Sequence, residues 1–275
     1  MVVGIVGLGL MGGSFAKALK KYNLVTKVVG YDHNISHQNE ALSLGFIDEI
    51  VDFENLKKSD LIVLTIPVDA IIEFNKQLKD LQNSTTVIDF GSTKHMIVEQ
   101  LPSELKSQYI PAHPMTGTEK FGPSAAIDNL YEDKTIVLCD LDYVEELHKN
   151  RVVKIFETIG MKIVYMDSSD HDVHACFMSH LPHAISFSLA TTVMSHQDPN
   201  SIIALAAGGF KDMSRIAKSS PHMWSDIFRQ NRKNLLHSID LFQSQMNYAK
   251  KLIEDEDYEK LSSWMQKANT LHDIL

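Results

Sequence analysis

The sequence predicts an α/β protein, with an amino-terminal doubly wound, mostly parallel sheet and an all-helical carboxy-terminal part. Between residues 2 and 167, short runs of β-branched and aliphatic residues alternate with amphipathic segments, which is typical of βα units around a buried parallel sheet. From residue 168 to 275 the strand-like runs disappear, and apolar residues recur at spacings of three and four. We therefore expect two domains, 1–167 and 168–275.

The predicted strands of the first domain are rich in Val, Ile and Leu. Several are almost continuously apolar, as expected of strands covered on both faces, and amphipathic segments such as 12–21 and 144–159 lie between them. The predicted strands are 2–7, 27–31, 60–66, 85–90, 109–112, 135–139 and 162–165.

Composition and charge limit the classes of partner. The 275 residues are 44% hydrophobic and 22% charged, values that are ordinary for globular proteins. The net charge of −9 disfavours binding to nucleic-acid phosphates or anionic lipid surfaces. Cys139 and Cys176 have no C-x-x-C spacing, and no signal peptide or membrane-length apolar run is visible. We expect a cytoplasmic protein with no nucleic-acid partner and no membrane association.

A glycine motif lies between the first predicted strand and the first helix. Gly7 permits a tight turn, Gly9 lets a pyrophosphate approach the backbone, and Gly12 lets helix and strand pack closely. Asp32 follows Gly12 by 20 residues and ends the second strand, where its carboxylate would accept hydrogen bonds from the ribose of NAD and repel the extra phosphate of NADP. The pattern predicts a Rossmann-like NAD site; a glycine turn without a ligand is the alternative. The residues of the motif are Gly7, Leu8, Gly9, Leu10, Met11 and Gly12.

Further candidate residues follow other predicted strands. Thr65, Ile66 and Pro67, where the third strand ends, are predicted to contact the cofactor. His113 follows a short strand, at the carboxyl edge where open α/β sheets bind ligands, and suits a general base; a buried structural histidine is the alternative. Ser92 also follows a strand, so that its hydroxyl could orient an imidazole, although a helix cap is equally compatible with its position.

The helical part contains a cluster of histidines and several cations. The histidines lack the ligand spacing of zinc sites, so we expect no bound metal. Arg215, Arg229 and Arg232 are available to hold an anionic substrate, but Arg229 and Arg232 are more consistent with a solvated helix face. The histidines are His171, His174, His180 and His183.

A heptad pattern in the helical part predicts a long helix with one apolar seam. Such a seam packs either within the core of its own subunit or against a second copy of the chain. Its residues are Leu235, Ile239, Phe242, Met246, Ala249 and Ile253.

Taken together, the motifs resemble one family, the prephenate dehydrogenases of tyrosine biosynthesis. Thr116 departs from the pattern, in which we expect a small residue such as Ala. In addition to the glycine motif, the matches are Asp89-x-x-Ser92-x-Lys94, His113-Pro114-Met115-x-Gly117-x-Glu119, Ser179-His180-Leu181-Pro182-His183, and Gly209-Phe210-x-Asp212-x-x-Arg215-Ile216-Ala217 followed by Trp224.

The resemblance implies a monofunctional enzyme that uses NAD to convert prephenate to 4-hydroxyphenylpyruvate by oxidative decarboxylation. His113 would be the base or strong acceptor for the proton of the C4 hydroxyl, which requires a neutral imidazole. Ser92 would orient His113 and the substrate hydroxyl.

The same resemblance implies that the helical domain supplies substrate contacts and forms a homodimer. Arg215 would bind a substrate carboxylate, and His183 would position the side-chain end of prephenate. Glu119 and Trp224 would form the gate or wall of a pocket in the cleft between the domains.

Three alternatives remain open at this stage. Arogenate, which carries an amino group in place of the side-chain ketone of prephenate, would use the same chemistry. Another two-domain dehydrogenase, such as a 3-hydroxyacid dehydrogenase or an imine reductase, shares the glycine motif. A non-catalytic NAD sensor would share the motif but has no need of His113, Ser92 and Arg215.

Overall fold

A computed structural model describes residues 1–274. It contains two compact units, Met1–Asn231 and Arg232–Leu275. The predicted division of the sequence at residue 167 stays a prediction.

The first unit is built on an eight-stranded sheet with the order β3-β2-β1-β4-β5-β6-β7-β8. Its neighbouring strands are parallel except for the antiparallel pair β6 and β7. The order reverses between β1 and β4, which is the switch point where doubly wound sheets bind ligands. The strands are β1 Val2–Val6, β2 Lys27–Tyr31, β3 Glu49–Ile50, β4 Leu61–Leu64, β5 Thr86–Asp89, β6 Tyr109–Pro114, β7 Thr135–Cys139 and β8 Lys162–Met166.

The predicted strands are confirmed, with ends that differ by up to two residues. The strand that the sequence analysis missed is β3, which has two residues and pairs only with β2 at the sheet edge. A strand of this length cannot display the alternation on which strand prediction depends.

Helices cover the sheet and make up the chain after β8, as predicted. The α-helices are α1 Leu10–Lys21, α2 Ile35–Ser43, α3 Phe53–Leu56, α4 Val68–Asn75, α5 His95–Glu99, α6 Glu146–Ile159, α7 Ser168–Ala175, α8 Leu181–Met194, α9 Pro199–Ala204, α10 Gly208–Ser214, α11 Pro221–Gln230, α12 Arg232–Glu254 and α13 Tyr258–Asn269. Short 3₁₀ turns occur at Ser103–Leu105, Pro123–Ala125, Leu141–Tyr143, Arg215–Lys218 and Thr270–Asp273.

Two apolar clusters, one centred on α1 and α6 and the other on α4, hold the sheet in place. In the first, the Phe15 ring lies edge-on to Phe90 and Tyr131, with ring centroids 5.0 and 5.5 Å apart, and packs beside Phe156. The second includes Tyr109 and the buried face of α4. Burial of each large apolar side chain contributes roughly 1.5–3 kcal/mol. These clusters give the loops at the carboxyl edge a rigid support.

A π-helical segment, Cys176–His180, joins α7 to α8 without a break. The wider π turn changes the direction in which the following side chains point, and such turns are frequent at functional sites. Three of the four clustered histidines lie on α7 or within this segment, and His183 lies one turn beyond it.

The second unit contains α12 and α13, joined by a hydrogen bond of 3.0 Å from Trp264 Nε1 to Gln245 Oε1. The predicted apolar seam lies on α12, where Leu235 is buried but Met246 and Ile253 are each 54% exposed. The single chain therefore leaves part of the seam open to solvent. Across residues 1–274 we find no helix with the length and apolar character needed to span a bilayer.

Candidate active site

The glycine motif forms the turn between β1 and α1, as predicted. Gly7 has a φ of +90°, a region that side-chain-bearing residues rarely adopt. A Cβ atom on Gly12 would lie 2.1 Å from the Gly7 carbonyl oxygen, so this position requires glycine for packing. At Gly9 the nearest atom to an added Cβ would be Gly122 N, 3.8 Å away, which leaves open space above the turn.

Asp32 anchors this turn. Its buried carboxylate accepts hydrogen bonds from the amide of Leu8 through Oδ2 and from the amide of Asn34 through Oδ1, each of 2.8 Å. Each carboxylate oxygen has two lone pairs, so both oxygens retain the capacity to accept a ribose hydroxyl. Asp32 therefore supports the loop in addition to the cofactor role predicted from the sequence.

The residues that follow β4 also contact the turn. The hydroxyl of Thr65 donates to the carbonyl oxygen of Gly7 over 2.6 Å, and an added Cβ on Gly7 would lie 2.9 Å from Cγ2 of Ile66. Pro67 is the N-terminal cap of α4. These three residues thus lie where β4 ends, next to the glycine turn.

A dinucleotide fits this arrangement. Helix α1 begins at Leu10, and its first amides have no side-chain oxygen as a cap. The positive end of the helix therefore faces the open space above Gly9, which is the environment that a pyrophosphate requires.

His113 heads a chain of hydrogen-bonded side chains. Its Nδ1 lies 2.8 Å from Nε2 of His171, and Nδ1 of His171 lies 2.9 Å from Oδ1 of Asp172. His171 and Asp172 are buried on α7, whereas His113, near the end of β6, is partly exposed. Oδ2 of Asp172 accepts from the amide of His95 over 3.1 Å.

The chain fixes which nitrogen atoms carry protons. The carboxylate of Asp172 only accepts, so Nδ1 of His171 donates to it; in the tautomer that we assign to His171, Nε2 carries no proton and accepts from His113. Nδ1 of His113 therefore carries a proton, and its Nε2 has a free lone pair. This is the tautomer that a base or hydrogen-bond acceptor needs.

Burial and nearby positive charge keep His113 neutral. Burial lowers the pKa of His113 well below its ordinary value, and His171, Lys94 and His180 lower it further. A neutral imidazole was predicted for this position, and the electrostatic surroundings agree with it.

Ser92 lies in the loop after β5, but within residues 1–274 its hydroxyl makes no hydrogen bond to His113. His171 contacts the ring at Nδ1, and the role of Ser92 towards His113 and the substrate hydroxyl stays a prediction. From the sequence, His171 was considered only as part of the histidine cluster, and Asp172 was not singled out. The adjacent His-Asp pair in the middle of α7 indicates a site only when its contact with β6 is known.

A second group of side chains contains His183 and Trp224. Their rings stack with centroids 3.5 Å apart and an interplanar angle of 21°. Nδ1 of His183 donates to the carbonyl oxygen of Ser179 over 2.9 Å, and its Nε2 lies 3.5 Å from Oγ of Ser219. The pKa of His183 is lowered by burial and by the charge of Arg215, so the neutral ring presents Nε2 as an acceptor.

His180 lies between the two groups. Its ring centroid lies 6.0 Å from that of Trp224, and Asn231 Nδ2 donates to its Nδ1 over 3.0 Å. Burial lowers the pKa of His180 to about 4, and its electrostatic interaction reaches both His171 and His183. His180 therefore lies between His171, which contacts His113, and His183.

Arg215 and Glu119 form an ion pair with an N–O distance of 3.9 Å. The Arg215 side chain is 60% exposed, so its guanidinium is accessible to a carboxylate ligand. Arg229 is instead paired with Asp69 and Asp226. In the described part of the chain, no three His, Cys, Asp or Glu side chains are grouped as metal ligands.

Two known domain families match this chain. The model of the prephenate dehydrogenase nucleotide-binding domain matches residues 15–165, and that of the prephenate dehydrogenase dimerization domain matches residues 167–267. The chain belongs to the prephenate dehydrogenase family. Its first part is accordingly a nucleotide-binding domain, and its helical part corresponds to the dimerisation domain of the family.

Individual members of the family are similar over almost the whole chain. A prephenate dehydrogenase of Bacillus subtilis is 29% identical over 278 residues, covering 98% of this chain and 75% of the relative. The structure of Aquifex aeolicus prephenate dehydrogenase in complex with hydroxyphenyl propionate and NAD+ matches with a TM-score of 0.93 and 35% identity, covering 99% and 97% of the two chains. Synechocystis arogenate dehydrogenase matches with a TM-score of 0.82 and 28% identity, covering 99% of each chain.

Gly9 and Gly12 of the turn give a matched pair of substitutions. We expect Gly9→Ala to leave the melting temperature almost unchanged, because the added methyl has space, but to weaken NAD binding at least tenfold by blocking the pyrophosphate. Gly12→Ala should lower both stability and binding, because its Cβ would overlap the Gly7 carbonyl. Thermal unfolding and fluorescence titration with NAD measure the two effects. Tight NAD binding by Gly9→Ala would contradict the assignment of the turn.

Proposed function

We propose that the protein catalyses the NAD-dependent oxidative decarboxylation of prephenate to 4-hydroxyphenylpyruvate. The observation that carries this proposal is the acceptor nitrogen, Nε2, of the neutral His113, held by His171 at the carboxyl edge of the sheet. The similarity to a prephenate dehydrogenase over nearly the full chain supports the choice of substrate.

The reaction needs one group that accepts a proton from the substrate and later returns it to the product. His113 Nε2 accepts the proton of the C4 hydroxyl as the C4–H bond breaks and a carbonyl forms. Bound NAD supplies the hydride acceptor. Loss of the ring carboxylate as CO2 then leaves an aromatic phenolate, which recovers the proton from His113. The reaction therefore yields 4-hydroxyphenylpyruvate, CO2 and NADH, with no net release of a proton.

The remaining residues are proposed to bind the substrate. Arg215 would form an ion pair with a substrate carboxylate. This pair would replace its contact with Glu119. The stacked pair of His183 and Trp224 would form the wall against the side-chain end of the substrate. Ser92 keeps its predicted role at the substrate hydroxyl. In this proposal 1–167 holds the cofactor, and 168–275 contributes substrate contacts.

Measurement of NADH formation tests the proposal. The purified protein is assayed with prephenate and with arogenate, each with NAD and with NADP. We expect turnover with prephenate and NAD, and a loss of about 100- to 10,000-fold in kcat for His113→Gln, the usual contribution of a general base. Absence of turnover with all four combinations would contradict the proposal, and so would near-wild-type turnover by His113→Gln.

Arogenate is a second candidate substrate, favoured by the tautomer of His183. The hydrogen bond to Ser179 leaves Nε2 of the neutral ring as an acceptor. The ammonium group of arogenate would donate to this nitrogen, whereas the ketone of prephenate would require a donor, which His183 becomes only when it is protonated.

The ratio of the two activities should therefore depend on pH. Burial and the charge of Arg215 lower the pKa of His183, so the ring becomes protonated only below the ordinary pH range of histidine. As it becomes protonated, kcat/KM for prephenate should rise relative to arogenate. The His183→Gln variant, whose amide both donates and accepts, should show a ratio that is independent of pH. A ratio that has the same pH dependence in the wild type and in His183→Gln would show that His183 does not contact the side-chain end.

We also propose that the protein is a homodimer formed through its helical part. Helix α8 contains no charged residue, yet Ser186 is its only buried residue in the single chain. The seam on α12 is likewise partly uncovered. A second copy of the chain would cover such faces, in agreement with the match to a dimerisation domain.

Sedimentation of the purified protein tests the dimer. We expect a single species of twice the chain mass at micromolar concentration. Met246→Lys, on the exposed part of the seam, should shift the equilibrium towards monomer, while Ser244→Lys, which places the same charge on the opposite face of α12, serves as a surface control. A monomeric wild-type protein at micromolar concentration would contradict the proposal.

A further inference from the structure

Lys94 is completely buried, although lysine is almost never fully buried without a partner. Its Nζ is paired with Oδ1 of Asp89, which is equally buried, and donates to the carbonyl oxygen of Ala112 over 2.8 Å. A buried ion pair contributes little net stability, because the loss of hydration offsets the attraction between the charges. Stability alone therefore does not account for a charged residue at this position.

The contacts of Lys94 reach both ends of the hydrogen-bond chain that runs from His113 through His171 to Asp172. Ala112 directly precedes His113, so the ammonium group holds the backbone from which the imidazole projects. The backbone amide of Lys94 donates to Oδ1 of Asp172 over 2.8 Å. Asp172 is the last side chain of the hydrogen-bond chain. A single residue thus links the loop after β5 to both β6 and α7.

Asp89 is itself held in place, which prevents the ammonium group from moving. Its Oδ1 accepts from the amide of Gly91 over 2.8 Å, and its Oδ2 accepts from the hydroxyl of Tyr109 over 3.0 Å. The amide of Asn75 donates to the Tyr109 oxygen over 3.1 Å. This network belongs to the packed side of the sheet, away from solvent.

We propose that Lys94 is a positioning residue of the dehydrogenase reaction, which holds both ends of the His113–His171–Asp172 chain and keeps a fixed positive charge beside it. It acts through these residues and not by contact with substrate. The inference rests on the proposed function, since it concerns the state of the base in that reaction.

The fixed charge matters because His113 must remain neutral. The titratable groups that face His113 are His171 from α7, His180 from the π segment and Lys94 from the loop after β5. Of these, Lys94 is the group held in a buried ion pair, with Asp89. Its ammonium disfavours a second positive charge on His113 and so preserves the acceptor at Nε2.

The test removes the charge without leaving an unpaired carboxylate in the interior. The first variant is Asp89→Asn/Lys94→Met. The second is Asp89→Asn/Lys94→Gln, whose amide still donates to the Ala112 carbonyl but carries no charge. Tyr109→Phe is the matched control, because it removes a hydrogen bond from the same network and leaves the ion pair intact.

The measurement is kcat/KM for prephenate with NAD as a function of pH, together with the melting temperature of each protein. We expect the acid limb of the profile to move to higher pH in both double variants, because Lys94 is the member of the ion pair whose charge lowers the pKa of His113. The shift should be at most about 1 unit, since the opposite charge of Asp89 is removed as well. The acid limb of Tyr109→Phe should coincide with that of the wild type. The KM for NAD should not change in any variant.

The outcomes separate this inference from the proposed function. An acid limb that stays at the wild-type position in a folded double variant would overturn the inference, even if kcat falls, because a purely structural role predicts that result. An equal shift in Tyr109→Phe would also overturn it. A wild-type protein that does not oxidise prephenate would instead overturn the proposed function, and the inference with it.

Discussion

The hydrogen-bond chain from His113 through His171 to Asp172 is the constraint on which the candidate site depends. A carboxylate that can only accept determines the proton position on the first imidazole and, through it, on the second. The result is an acceptor nitrogen on a ring that burial and nearby charge keep neutral. Without the chain, His113 could rotate or change tautomer, and the same residue would act as a donor.

The chain requires elements that are distant in the sequence to meet at one edge of the sheet. Parallel strands β1, β4, β5 and β6 bring their carboxyl ends to the same edge, where the glycine turn, Thr65 and His113 lie. Helix α7 then brings His171 to β6, and the π segment after it leads to His180 and His183. The apolar clusters on the sheet keep this edge rigid, which is how a loop-based site attains defined geometry.

Local patterns in the sequence were sufficient for the parts of the site that form within one strand–turn–helix unit. The turn formed by the glycine motif and the position of Asp32 at the end of β2 were predicted because their spacing reflects a single βα unit, whereas their contacts with the cofactor stay a prediction. The strands were predicted from their apolar runs, except for the two-residue strand β3. The partner of His113 could not be predicted, because pairing between β6 and α7 has no local signature. The π turn was not predicted either, because nothing in the local sequence of Cys176–His180 distinguishes it from an α-helix.

The tautomer of His113 is the central claim, and nitrogen NMR of histidine side chains tests it most directly. The His113 resonances are assigned by their absence from His113→Gln, and the protein is titrated from pH 8 to pH 5. The account predicts a neutral ring with its proton on Nδ1 that remains neutral as the pH passes below 6.5. A proton on Nε2, or protonation of the ring at its ordinary pKa near 6.5, would contradict the account.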